Sequence, residues 1–79
     1  MSQETILLVE DERDIHDLLK FHLERENFDV EAVGTGEEAL RSLKSRTPSL
    51  VLLDLMLPDI DGLEVCRRLK AQPDTRDIP

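Results

Sequence analysis

Two short, almost unbroken apolar runs stand out against a chain that otherwise alternates apolar and polar residues. The first, Thr5-Ile6-Leu7-Leu8-Val9, is followed at once by Glu10-Asp11-Glu12. The second, Leu50 to Leu57, holds seven apolar residues in eight, with Asp54 the single exception. Thr47-Pro48 precedes it and Pro58-Asp59 follows it. Runs this short and this apolar predict strands buried on both faces, the pattern of a parallel sheet covered by helices. Between them, Phe28-Asp29-Val30-Glu31-Ala32-Val33 alternates apolar and acidic residues, which predicts a half-exposed strand at a sheet edge.

The intervening segments carry helical spacing. Ile15, Leu18, Leu19, Phe21 and Leu23 recur at intervals that give an amphipathic helix to about Arg25. Asp11 or Asp14 is its expected cap, and Asn27 the left-handed residue past its end. Thr35-Gly36-Glu37-Glu38 matches a capping box, with Thr35 as N-cap and Glu38 at the third helical position. Ala39, Leu40 and Leu43 then form the buried stripe of a second helix. Leu57 to Gly62 is a turn-rich loop. Leu63, Val65, Cys66 and Leu69 mark a third helix, with Arg67, Arg68 and Lys70 toward its C-terminus, where positive charge suits the helix dipole. A polar loop, Gln72 to Asp77, leads to Ile78-Pro79, which reads as the approach to a further strand.

The order β-α-β-α-β-α with right-handed crossovers makes a parallel α/β sheet. The half-polar second strand belongs outside and the apolar third inside, and strand order 2-1-3 satisfies both. It leaves one open edge on the third strand. A bare apolar edge invites pairing, so the remainder of a domain, or another copy of the chain joined by edge pairing or domain swapping, is expected to cover it.

Composition narrows the function classes. Seventy-nine residues make one small domain at most, burying only about 60% of its unfolded surface. A hydrophobic content of 39% with 35% charged residues fits a globular core with a heavily charged exterior. The net charge of −8 disfavours direct contact with nucleic acid or anionic membrane and favours cations and basic protein surfaces. Cys66 is the sole cysteine, so no intrachain disulfide forms and a reducing compartment fits. With no leader-like segment and no run long enough to span a bilayer, the expectation is a soluble, cytoplasmic chain.

In a 2-1-3 sheet the first and third strands are neighbours. Glu10, Asp11 and Asp54 then converge at the carboxyl-end rim, where open α/β sheets place their ligands. Carboxylates crowded in this way need water, a shared proton or a cation. Hard oxygen ligands favour Mg²⁺. Taken alone, Glu10-Asp11 reads rather as a solvated strand end; Asp54, inside an apolar run, does not. His16 and His22 are six apart and miss the i,i+4 spacing of a metal pair, and Cys66 on an apolar stripe reads as core.

Val9-Glu10-Asp11, the apolar strand ending in Asp54, and the loop Met56-Leu57-Pro58-Asp59-Ile60-Asp61-Gly62 together resemble the receiver domain of two-component response regulators. Thr75-Arg76-Asp77-Ile78-Pro79, with Met56 two residues after the aspartate, is similar to the winged-helix transcription-factor subfamily of phosphate-regulon type. The resemblance covers essentially all 79 residues and makes them the N-terminal two-thirds of a flavodoxin-like (CheY-like) receiver. It implies that Asp54 is the phosphoacceptor, receiving a phosphoryl group from a sensor histidine kinase or a small phosphodonor. It further implies that Asp11, Asp54 and the Met56 backbone carbonyl bind Mg²⁺, with Glu10 acting through a water. Such a chain is not an enzyme acting on a free metabolite, although receivers catalyse their own phosphorylation and dephosphorylation. The resemblance also calls for a Ser/Thr on a fourth strand and a Lys on a fifth, which residues 1–79 do not contain; Lys44 and Lys70 fall on helices. Two other readings compete. Gly34-Thr35-Gly36-Glu37-Glu38-Ala39, with Asp54 twenty residues beyond Gly34, is a weak dinucleotide-binding match. A self-associating structural fragment without signalling activity is the other.

Overall fold

Strand β1 (Thr5–Val9) forms the middle of a three-stranded parallel sheet, flanked by β2 (Asp29–Val33) and β3 (Leu50–Leu53), so the order is β2-β1-β3 as the pattern predicts. The computed structural model describes residues 4–54 and 56–79; Leu55, within the second apolar run, lies outside the described residues. Ile6, Leu7, Leu8 and Val9 are at most 2% exposed. Full burial on both faces explains why this run tolerates no polar residue.

The apolar third strand behaves differently from expectation. Each residue of β3 is only half-buried. Among the described residues it has a strand neighbour on the β1 side alone, so its side chains are covered on fewer sides than those of β1. Its outer edge is met in part by the end of the chain, where the Val51 N–H donates to the Pro79 carbonyl at 3.0 Å. Pro79 therefore touches the outer edge of β3, while the Ile78 N–H turns back to the Thr75 carbonyl at 3.1 Å.

Successive β1 side chains point to opposite faces of the sheet. Leu7 and Val9 form a buried cluster with Ala39 of α2 (Gly36–Ser45), joined by Val33, Leu43, Val51, Leu53 and Leu57. Helix α3 (Gly62–Ala71) packs beside α2 and buries Val65 and Leu69. Helix α1 (Arg13–Arg25) lies against β1 and β2. Right-handed crossovers in opposite directions from β1 put it on the other face. None of its residues is fully buried, and Ile15, Leu18 and Phe21 are about half exposed (46%, 56% and 55%). The predicted apolar stripe is present, but among the described residues only its inward side is covered. No helix of the described residues is long and apolar enough to cross a membrane.

Local signals explain the element boundaries. Asn27 has a φ of 70°, the left-handed conformation that stops α1. The expected aspartate cap of α1 is absent: Glu12 occupies the N-cap position and makes no side-chain capping bond. Thr35 caps α2 by accepting the Glu38 N–H at 3.1 Å, and its hydroxyl donates to Glu38 Oε1 at 3.1 Å. Asp61 caps α3 by accepting the Leu63 N–H at 3.0 Å. Thr75 is the buried polar residue under the following loop, where its hydroxyl donates to the Leu69 carbonyl at 2.7 Å.

Two stability outcomes are expected. Thr75→Val keeps the shape but removes the hydroxyl donor from the Leu69 carbonyl, leaving it only the longer Gln72 N–H bond at 3.4 Å, which costs about 0.5–1.5 kcal/mol; urea denaturation measures it. The Arg67 and Arg68 guanidiniums beside Glu64 hold its carboxyl below the usual carboxylate range. That contribution is full above the ordinary carboxylate pKa and is lost as pH falls through the lowered value. Glu64→Gln therefore lowers the melting temperature at neutral pH and flattens the acid limb of a melting-temperature profile.

Candidate functional site

The pairing of β1 with β3 places Val9 opposite Leu53. The chain therefore leaves both strands at the same rim, as Glu10 on one side and Asp54 on the other. Backbone bonds carry the order one residue further: Glu10 N donates to the Val33 carbonyl at 3.1 Å and Asp54 N to the Val9 carbonyl at 3.0 Å. With the backbone held, the side chains of Glu10, Asp11 and Asp54 all start from the same rim. One carboxylate oxygen from each lies within 4.8 Å of the others. The convergence expected from strand order is thus present.

Each carboxylate sits in a different environment. Asp54 is half-buried, and its Oδ1 accepts the Met56 N–H at 3.0 Å. That bond holds the Asp54 carboxyl below the ordinary range, against the opposing effect of burial. Glu10, also half-buried, accepts the Glu12 N–H at 3.0 Å. Desolvation pushes its carboxyl up, and its contact with Asp54 adds to the rise. Asp11 is exposed. Among the described residues, none of the ion pairs formed by Lys, Arg or His involves these three carboxylates. Their repulsion is therefore left to solvent, to a proton on Glu10, or to a cation. Three hard oxygen donors gathered at one rim, two of them half-buried and one open to solvent, are the ligand chemistry of a Mg²⁺ ion that keeps part of its water shell. Met56 joins the group through its backbone N–H, while its side chain is 83% exposed.

Asp59 was not singled out by sequence reasoning, which placed it in a turn-rich loop. Its Oδ1 accepts the Gly36 N–H and its Oδ2 the Glu37 N–H, both at 2.9 Å. The Glu37 bond, supported by that from Gly36, holds the Asp59 carboxyl below its ordinary range. The only hint in the sequence is an aspartate directly after a proline, which marks a turn and names no partner. The same contact removes the support for a dinucleotide fingerprint, because the N–H groups that a pyrophosphate would need at this helix start are taken by a carboxylate. The histidines are accounted for within α1: His16 bonds Asp17 at 3.2 Å, and His22 packs edge-on to Phe21.

Comparison with known proteins follows the same line. The family model described as response regulator receiver domain matches residues 6–79. The phosphate regulon transcriptional regulatory protein PhoB of Rhizobium meliloti is 45% identical over 74 residues, which is 94% of this chain and 33% of that protein. The chain spans about a third of the length of the curated relatives it matches. The N-terminal domain of a response regulator receiver protein from Methanoculleus marisnigri superposes with a TM-score of 0.91 at 44% identity, covering 99% of this chain and 63% of that one. The response regulator protein TrrA of Thermotoga maritima, solved in complex with Mg(2+)-BeF, superposes with a TM-score of 0.85 at 38% identity, covering 90% and 62%.

The crowding of the three carboxylates has a measurable cost. Glu10→Gln removes one charge from the cluster while keeping the shape of the side chain. In chelator-treated, low-salt buffer at neutral pH it is expected to raise the melting temperature. Added NaCl shrinks the gain, because screening relieves the same repulsion in the wild-type chain.

Proposed function

The chain belongs to the response-regulator receiver family, and on that premise we propose that Asp54 is its phosphoacceptor and that Glu10, Asp11, Asp54 and the Met56 backbone carbonyl form a Mg²⁺ site, with Glu10 acting through a water. The observation that carries the reading is the meeting of three carboxylates within 4.8 Å at the carboxyl end of the sheet. The donor is a phosphohistidine of a sensor kinase or a small phosphodonor. An Asp54 carboxylate oxygen attacks phosphorus, the P–N bond of the phosphoimidazole breaks, and its electron pair stays on the imidazole nitrogen, which takes a proton from solvent. The product is an acyl phosphate on Asp54, later hydrolysed by water.

A bound divalent cation supplies positive charge that offsets the repulsion between carboxylate and phosphoryl group. The protein's own contribution is placement. The Met56 N–H keeps Asp54 ionised and turned toward the rim, and Asp11 keeps an oxygen open to solvent where an ion enters. This reading makes the chain the N-terminal two-thirds of a receiver working in the cytoplasm, with a basic kinase surface as partner and no direct role in contacting DNA or membrane. It transfers no group between free metabolites, and control of its own phosphorylation and dephosphorylation belongs to the same site.

A second reading, self-association, is favoured by the outer edge of β3 and by the half-exposed Ile15, Leu18 and Phe21. Size-exclusion chromatography at micromolar concentration tests it: a dimer supports it, and a monodisperse monomer removes it.

The metal reading predicts that Mg²⁺ raises the melting temperature of the wild-type chain and that Asp54→Asn or Asp11→Ala abolishes the rise. The absence of a metal-dependent shift in the wild type overturns it. With acetyl phosphate, intact-mass analysis is expected to show one phosphoryl group on wild type and none on Asp54→Asn.

A further inference from the structure

In the loop after β3, Met56 and Asp59 are each tied by a carboxylate. Asp54 Oδ1 accepts the Met56 N–H at 3.0 Å. Asp59 reaches a helix start 23 residues earlier in sequence and takes two of its N–H groups, those of Gly36 and Glu37, at 2.9 Å each. A helix start leaves its first N–H groups without intrahelical partners. Thr35 already supplies the usual side-chain cap by accepting the Glu38 N–H. The second acceptor therefore ties down something besides α2: the loop between β3 and α3, which includes Met56. Packing reinforces the tie. A Cβ on Gly36 would stand 3.0 Å from Ile60 Cβ and 3.2 Å from Val65 Cγ2, so loop and helix meet without room for a methyl group. Between the two anchors Pro58 fixes its own φ at about −65°.

We infer that Asp59 is a positioning residue for the acidic site: by clamping the β3–α3 loop to the first turn of α2, it sets where the Met56 backbone stands relative to Asp54, and with it the affinity of the site for a divalent cation. The inference rests on the metal reading above. Asp59 is not one of the three clustered carboxylates and acts through the loop, in the way outer-shell partners hold metal ligands in register. If Asp59 were only a helix cap, its loss would lower stability and leave the metal affinity of the folded chain untouched.

Three variants separate these roles. Asp59→Ala removes both acceptors, Asp59→Asn leaves one acceptor oxygen, and Gly36→Ala presses on Ile60 and Val65 from the α2 side. Amide hydrogen exchange over Met56, Leu57, Asp59 and Ile60 reads the loop. Titration with MgCl₂, followed by the amide shifts of Asp54 and Met56 at a temperature where each variant is folded, reads the affinity. Asp59→Ala is expected to speed loop exchange and to weaken Mg²⁺ binding about tenfold. Asp59→Asn should fall between it and wild type, and Gly36→Ala should move both quantities in the same direction. Unchanged loop exchange, or a lowered melting temperature with wild-type Mg²⁺ affinity, overturns the clamp. Should Asp59→Ala not fold, the other two variants decide on the same criteria. A wild-type chain with no Mg²⁺ response overturns the metal reading instead, and the loop exchange rates then decide whether the clamp on the loop stands.

Discussion

Parallel pairing of β1 with β3 is the constraint on which the rest of the molecule depends. It brings together two strand ends that are 44 residues apart in sequence, Glu10 and Asp54, and both carry carboxylates. Nothing in the mutual interaction of those groups favours their meeting. The pairing is driven by the burial of Ile6 to Val9 and by the ladder bonds, which continue past the strand ends through Glu10 N and Asp54 N. Because side chains alternate along a strand, a slip of one residue would turn each β3 residue to the opposite face. Register is therefore protected by the apolar core on one hand and determines the acidic rim on the other. Stability and function draw on the same strand in opposite senses.

The loop after β3 connects that rim to the helical layer. Asp61 begins α3, Asp59 is bonded to the start of α2, and Asp54 holds the Met56 N–H. Three aspartates within eight residues thus have three separate structural duties. In composition they look alike, as part of an acidic surface. Their distinct bonds explain why a chain with a net charge of −8 is not simply coated with interchangeable carboxylates. Bonded to backbone N–H groups, Asp54 and Asp59 are held in their ionised forms, while Glu10, desolvated beside Asp54, is pushed the other way.

Much of the fold was legible because it depends on short-range patterns. The alternation in Asp29–Val33, the left-handed Asn27 and the Thr35 cap are local signals, and each stands where the pattern put it. The strand order followed from burial demands on three runs of different polarity. Less legible was how much of each run is covered. Leu50–Leu53 is nearly as apolar as Ile6–Val9, yet it is half-buried because, among the described residues, it has a strand neighbour on the β1 side alone. Likewise the apolar spacing of α1 identifies a helix but does not reveal that Ile15, Leu18 and Phe21 face away from the described core.

For the site the division is similar. Residue types and order along the chain were enough to nominate Glu10, Asp11 and Asp54, because strand ends in a 2-1-3 parallel sheet have only one rim to share. Whether their oxygens meet within a few ångströms, and that Asp59 bonds two N–H groups of α2, depended on side-chain direction and on contacts between residues far apart in sequence. Periodicity along a chain encodes which face of an element is apolar. The distance between two polar groups on different elements is set only once those faces have packed.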